Sequence, residues 1–271
     1  MTLSKIWITR PKLDATRFCD ELEAANLPVP LTPRVYSLLE AEFLDFDAHV
    51  FFTSPPIGAL VVTSRNGVRA IAQLEGFEKF TSLPFFTVGE ATAELARSFG
   101  FEDVRVGPGR AEQLLPLITE FDQSSQIDGS CRIVNLRGDE QSFDLKYAVD
   151  KIVPTFKHQF EDVLSYQMRE ASELSPELMD EIKNKEITVV VLMSPRTARI
   201  YCRLMKQYGF VSHLEHIRHF CLSEAVATEL RDQLTDIEPL SDGLDGLLSV
   251  SISSFPSQSH MIDCIKGAYF D

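Results

Sequence analysis

"LVVTSRNGVRAI" (Leu60–Ile71) and "VVLMSPRTARIY" (Val190–Tyr201) carry the same pattern at two places in the chain. Each is a short apolar run, then a serine, then an arginine beside a turn former, then helically spaced apolar residues. A strand-length apolar run passing through serine into 3.6-residue periodicity predicts a buried strand, a turn and a helix whose first turn the serine faces. "FFTSPP" (Phe51–Pro56) also ends an apolar run on Thr-Ser. Too few residues follow it before the next strand to hold a helix, so Ser54 is expected in a loop and Ser64 at the site.

A duplication should recur elsewhere at a similar offset, and it does. "KIWITRP" (Lys5–Pro11) matches "RIVNLRG" (Arg132–Gly138) at an offset of 127. "PRVYSL" matches "VLSYQM", placing Tyr36 over Tyr166 at an offset of 130. "FFTVGEATAEL" (Phe85–Leu95) matches "HFCLSEAVATEL" (His219–Leu230) at 134, and "VRVGPGRAEQLLPLI" loosely matches "IEPLSDGLDGLLSVSI". The same order at a nearly constant offset predicts two homologous halves.

Within each half, short apolar strands alternate with helical patterns, such as Asp14, Phe18 and Leu22, Gly67 to Leu74, and Glu90 to Phe99. Alternating βα units predict a parallel sheet covered by helices on both faces, of Rossmann-like or flavodoxin-like type. Ligands of such sheets lie beyond the carboxyl ends of the strands. Arg10, Arg65, Arg137 and Arg196 each follow a predicted strand and are expected at that edge. Strand-end loops are polar in any case, so the arginines alone do not define a site.

Composition narrows the partners. The chain has 271 residues, 44% hydrophobic and 24% charged, with no apolar run near the roughly 18 residues of a membrane span. It opens directly on a strand-like pattern and has five unpaired-looking cysteines, so a reduced, cytoplasmic protein is expected. A formal charge of −14 argues against nucleic acid and anionic membranes, but not against a small anionic substrate. Charges lining the site decide that, because screening acts over roughly 8 Å at physiological salt. No Ser-His-Asp, GxGxxG or Walker A pattern is present; "GPG" at Gly107–Gly109 lacks the rest of a phosphate loop. His213, His216 and His219 are spaced i, i+3, i+6, which rotates too far round a helix to converge on a metal. Neither metal nor cofactor is expected.

The segments "VVTSRNGV", "FFTVGEATAELARSFGF", "VLSYQM" and "VVVLMSPRTARIY" together resemble the uroporphyrinogen-III synthase family of tetrapyrrole biosynthesis, from about Lys5 to Leu248. The resemblance implies discontinuous domains: 1–33 with 169–271, an inserted domain 39–161, and an antiparallel two-stranded linker at 34–38 and 162–168. Such a linker would act as a hinge for a cleft between the domains. Departures stand at "LSEAVA", where Ser223 replaces a glycine and Val226 a hydroxyl residue, and at Met193, where threonine is common. The tail "SSFPSQSHMIDCIKGAYFD" lies outside the resemblance.

The resemblance also implies the substrate, hydroxymethylbilane, a linear tetrapyrrole with eight carboxylates, and its closure to uroporphyrinogen III with the last ring inverted. The terminal hydroxyl is lost and a spiro intermediate follows, driven by the pyrroles' own electrons. The protein's part is then orientation and help for the departing hydroxyl. Tyr166 matches the family's acid position, with packing at the domain junction as the alternative; Tyr36 inherits no role. Carboxylates are expected on Arg10, Ser64, Arg65, Asn66, Gly89, Glu90, Thr92, Arg137, Ser194, Arg196 and Ser223, although Asn66 serves equally as a helix cap. A monomer is expected. A non-catalytic two-lobed anion-binding protein would show the same sequence pattern, whereas a regulatory descendant would need an appended DNA-binding module, for which the tail after Leu248 is too short and not basic.

Overall fold

The computed structural model describes residues 4–27, 30–45, 51, 55–124, 131–152, 156–235 and 248–270. The chain begins β1 (Ser4–Ile8), α1 (Lys12–Ala24), β2 (Leu31–Val35) and β3 (Leu39–Phe43). It continues β4 (Ile57–Val62), α2 (Arg65–Ile71), β5 (Phe85–Thr87), α3 (Glu90–Ser98), β6 (Val104–Val106) and α4 (Leu114–Ser124). Next come β7 (Arg132–Gly138), α5 (Leu145–Ile152), β8 (Gln159–Glu170), α6 (Pro176–Lys183), β9 (Ile187–Leu192) and α7 (Pro195–Gln207). The last elements are β10 (Arg218–Cys221), α8 (Glu224–Asp232), β11 (Ser249–Ile252) and α9 (Gln258–Phe270). None of the described helices is long and apolar enough to cross a membrane.

Two compact units result, one of Met1–Glu40 with Arg169–Asp271, the other Ala41–Met168. The first holds a sheet of order β11-β10-β9-β1-β2; the second sheet runs β6-β5-β4-β7-β8, with β3 added beside β8. Apart from the β3–β8 edge, the described pairings are parallel. The strand orders therefore coincide, with β1 and β2 taking in one sheet the places of β7 and β8 in the other. Three strands from the carboxyl-terminal part of the chain do not complete a sheet by themselves, and the N-terminal β-α-β supplies the rest.

β3 runs antiparallel to β8. Leu44 N donates to Ser165 O and Ala171 N to Leu38 O, both at 3.0 Å, so residue numbers fall in one strand as they rise in the other. An antiparallel ladder is present, but its first strand is not the expected 34–38. Residues 34 and 35 end β2, which pairs in parallel with β1. Tyr36 N donates to Ile8 O at 3.2 Å, holding Tyr36 at the end of that ladder rather than in the antiparallel one. Of "FFTSPP", only Phe51, Pro55 and Pro56 fall within the described residues, so Ser54 lies outside them. Residues 237–247 of the loosely matched segment lie outside them too; β11 occupies in its sheet the place β6 has in the other.

Burial explains why the strand sequences are continuous apolar runs. In β4, Leu60 and Val62 pack on one face with Val68 and Ile71 of α2. Ala59 and Val61 pack on the other with Leu114 and Ile118 of α4. In β9, Val190 and Leu192 face Ala198 and Tyr201 of α7, while Val189 and Val191 face Phe18 of α1. Each such fully buried aliphatic side chain contributes about 1.5–3 kcal/mol. The unassigned tail belongs to this core. Met261 and Ile265 of α9 are fully buried against Ile6, Phe18 and Phe220.

Polar groups in the core are few. His219 of β10 is fully buried and its Nε2 lies 2.9 Å from Tyr201 Oη, so it does not join His213 and His216, which sit in a preceding 3₁₀ turn. Burial pushes the imidazole down to about 4 and the Cys202 and Cys221 thiols up to about 12.

Two outcomes are expected. The fragment Ala41–Met168 contains β4 to β7 entire and nearly all of β8, and should melt cooperatively by circular dichroism. A fragment stopped at Phe160 loses most of β8, strips one edge of β7 and should be disordered. The second outcome concerns pH. Because His219 titrates near 4 in the fold and near 6.5 unfolded, the unfolded chain takes up the proton first. Stability from this site is intact above pH 6.5 and is lost as pH falls toward 4, by up to about 3 kcal/mol. His219→Gln keeps an acceptor for Tyr201 and should flatten that slope in urea titrations. Equal slopes for both proteins would remove His219 as the cause.

Candidate active site

Parallel pairing brings the carboxyl ends of β4, β5, β6 and β7 to one edge of the second unit. An open cleft of about 460 Å³ lies there, lined by Thr63, Ser64, Gly109, Arg110, Gln141 and Tyr166 among others. Ser64 is the N-cap of α2: its backbone is extended and its Oγ accepts from Asn66 N at 3.1 Å. Tyr166 comes from β8, opposite Gly138 of β7 at a break in the strand register.

Ser64 Oγ and Tyr166 Oη are 2.8 Å apart. The ring reaches this position because residue 138 has no side chain. A Cβ there would lie 2.7 Å from Tyr166 Cε2 and Cζ, closer than such atoms approach. Asp139 fixes the backbone around it: its N–H donates to Tyr166 O, and its Oδ1 accepts from Met168 N, both at 3.2 Å. Tyr166 is only 8% exposed, and burial raises its phenol above the ordinary value. The hydrogen bond from Ser64 works in the opposite direction, while Asp139 adds to the rise. A neutral phenol held at the wall of a polar cleft is a proton or hydrogen-bond donor.

The other expected residues of this unit divide. Arg65 and Asn66 start α2, with Asn66 Oδ1 accepting from Arg69 Nη1 at 2.9 Å and its amide facing Met168 Sδ. Arg137 is not in a loop; it lies within β7, its Nε 2.9 Å from Asp162 Oδ2, so a carboxylate already occupies it. Thr92 is buried inside α3, as is Val226 at the matching place in α8. Gly89 and Glu90 open α3, where Glu90 pairs with Arg97 and would repel an incoming carboxylate. Neither Gly89 nor Glu90 lines the cleft.

In the first unit, Ser194 caps α7 in a reciprocal arrangement with Thr197, each backbone N–H donating at 3.1 Å to the other's hydroxyl. Arg196 Nε donates to Glu170 Oε1 at 3.0 Å, and Arg10 Nη1 to Gln258 Oε1. Ser223 precedes α8 with an extended backbone, φ −157°, against −153° at Gly89. No atom lies within 4 Å of a Cβ built on Gly89. The serine that departs from the family glycine therefore meets neither strain nor crowding. Met193 packs against the core around α1 and α9.

Thr63, Arg110, Gln141 and Ser142 line the cleft and were not singled out by sequence. The signal was present in "GPGR": Gly109 has φ +117°, a left-handed conformation open to glycine, and it turns the chain after β6 so that Arg110 enters the cleft wall. Among the described residues no group of three His, Cys, Asp or Glu side chains is placed to hold a metal.

The sequence family described as Uroporphyrinogen-III synthase HemD (HEM4) matches residues 31–241. No curated protein matches the chain. Among solved structures, a mutant uroporphyrinogen III synthase from the extremely thermophilic bacterium Thermus thermophilus is 13% identical, with 98% of each chain covered and a TM-score of 0.48. A second structure of the Thermus thermophilus uroporphyrinogen III synthase is 13% identical over 98% of this chain and 99% of that one, with a TM-score of 0.38. The wild-type protein of that bacterium, in a further crystal form, is 14% identical over 98% and 97%, with a TM-score of 0.39.

Stability measurements test the packing around Tyr166. Gly138→Ala should cost about 1–3 kcal/mol, because the ring must leave its seat. Gly89→Ser, which copies Ser223, should stay within about 0.5 kcal/mol of the parent. Equal effects would show that the phenol is not fixed by the missing side chain at 138.

Proposed function

Since the chain belongs to the uroporphyrinogen-III synthase family, we propose that it closes hydroxymethylbilane to uroporphyrinogen III, acting as a cyclising lyase that draws on no cofactor. The observation that carries this reading is the buried Tyr166 phenol held 2.8 Å from Ser64 on the wall of a polar cleft. It is the acid-capable side chain that the family resemblance requires, in a position where it can meet a leaving group.

In this reading Tyr166 Oη gives its proton to the terminal hydroxyl as the C–O bond breaks, and the bonding pair leaves with water. The adjacent pyrrole nitrogen supplies the compensating electrons. The last ring is then attacked at its substituted carbon, giving the spiro intermediate whose rearrangement inverts that ring. The pyrrole carbon that closes the macrocycle releases a proton as it regains aromaticity, which restores the phenol. The net change is loss of one water, with no oxidant or reductant. Orientation separates this product from the uninverted isomer formed by unassisted closure.

Carboxylate contacts are proposed for Arg10, Ser64, Arg65, Asn66, Thr92, Arg137, Ser194, Arg196 and Ser223, with Arg110 added, and for Gly89 and Glu90 through their backbone N–H groups at the start of α3. Support differs among them. Ser64 and Arg110 line the cleft. Arg137 and Arg196 each hold a carboxylate of the protein and would have to exchange it for one of the substrate. The chain's charge of −14 makes such local cations decisive.

Purified protein given fresh hydroxymethylbilane should yield uroporphyrinogen III, resolved from the uninverted isomer by chromatography. Tyr166→Phe should lower the rate roughly 10–100-fold with an unchanged melting temperature, since the pyrrole nitrogen still expels the hydroxyl and water can substitute. Only the uninverted isomer from wild-type protein would leave a binding protein of the same fold. An undiminished rate in Tyr166→Phe would assign the tyrosine to packing.

A further inference from the structure

We propose that Ser64 is a positioning residue for Tyr166, its hydroxyl donating to the phenol oxygen and holding the charge that develops there as the phenol proton departs. The proposal rests on the reading of Tyr166 as the acid. It replaces, for Ser64, the proposed contact with a substrate carboxylate, since the hydroxyl has one proton to give.

The geometry leaves Ser64 able to donate, with the phenol proton of Tyr166 kept for the substrate. Ser64 Oγ accepts from Asn66 N at 3.1 Å, which occupies one lone pair and fixes the oxygen at the start of α2. Its own proton is left for another direction, and Tyr166 Oη lies 2.8 Å away. The ring lies against Gly138, where even one added carbon would sit at 2.7 Å, so this seat depends on the missing side chain. The phenol oxygen needs such a donor. Tyr166 is 8% exposed, so little water reaches an oxyanion there, and the charged groups on the segment after β7, Asp139 and Glu140, are both acidic. Asp139 opposes a phenolate, while Arg110 and Glu112, of opposite sign to one another, line the same cleft. Among the described residues, Ser64 is the protein group hydrogen-bonded to that oxygen. Proton transfer from Tyr166 to the departing hydroxyl breaks the C–O bond and leaves the phenolate accepting from Ser64, until the closing pyrrole returns a proton. A preorganised donor aimed at developing charge acts on the rate constant, not on binding.

The test uses the full chain as Ser64→Ala, Ser64→Gly and Ser64→Thr. Glycine is tolerated at an N-cap at a cost of a few tenths of a kcal/mol, so it separates loss of the hydroxyl from loss of the helix start. Tyrosine labelled with ¹³C at Cζ, assigned by Tyr166→Phe, reports the phenol directly by NMR without substrate. Its titration should move to higher pH in the alanine and glycine variants and return with threonine. With hydroxymethylbilane, kcat should fall about tenfold in the same two variants while KM stays within about twofold. In a Tyr166→Phe background, removing the hydroxyl should cost nothing more. An unmoved titration, a raised KM at unchanged kcat, or losses that multiply in the double variant would each overturn the proposal. An undiminished rate in Tyr166→Phe alone would overturn the acid reading beneath it. The titration distinguishes the two failures, since in that case it still moves.

Discussion

Because β4 to β8 pair in parallel, their carboxyl ends fall along one edge of the sheet, and the loops leaving them share one neighbourhood. Everything at the candidate site follows from that constraint. Ser64, Gly109, Glu140 and Tyr166 are far apart in sequence, yet the first three follow strands β4, β6 and β7 and Tyr166 stands where the β7–β8 ladder ends. Parallel strands require helical crossovers, and the crossovers bury both faces of the sheet. The strand interiors are therefore apolar and available only for packing, while chemistry is confined to the strand ends.

At that edge two demands on Tyr166 conflict. Burial keeps the phenol protonated, as the proposed acid role needs. The same burial penalises the phenolate left behind, and Asp139 adds to the penalty. Ser64 answers the second demand without relaxing the first, because its hydroxyl is already fixed by the helix start. The two residues lie 102 apart in sequence, and their 2.8 Å contact depends on a third, Gly138, contributing no atoms.

How much of this was legible depended on whether the signal was local. The repeat and the strand–serine–helix segments showed the sheet type, because apolar periodicity and helix caps are written within a dozen residues. Ser64 as a cap and the βα alternation fall in this class. The partner of β8 was not legible: "PRVYSL" and "LEAEF" have similar strand character, and only the register of the β1–β2 ladder shows that the first is used up at Val35. Arg137 was misplaced for a related reason, since a strand end and the residue one step inside it look alike in sequence. Asp162, which pairs with it, lies on the neighbouring strand. The tail was opaque because the apolar residues that bury α9 are diluted by serines and a glycine. Arg110 was hidden because a single left-handed glycine, not a motif, turns it into the cleft.

The repeat also bears on why the serine–tyrosine hydroxyl pair forms in one unit. Ser64 corresponds to Ser194 and Tyr166 to Tyr36, both at an offset of 130. Both serines cap helices with extended backbones, and both tyrosines follow equivalent ladders. The hydroxyl pair nevertheless forms only in the unit that contains Gly138. Gly138 pairs with Tyr166, whereas Tyr36 N donates to Ile8 O and Leu38 N to Thr9 O, which places Thr9, a residue with a side chain, opposite the tyrosine of the other copy. Tyr36 is instead tied through its carbonyl to Trp7 Nε1 at 2.7 Å and packs beside Leu38 and Leu178, while Ser194 closes on Thr197. A position without a side chain opposite the tyrosine thus lets one copy seat a phenol against its serine, while the other copy has a threonine there. Duplication supplied the serine and the tyrosine twice; steric room let them meet once.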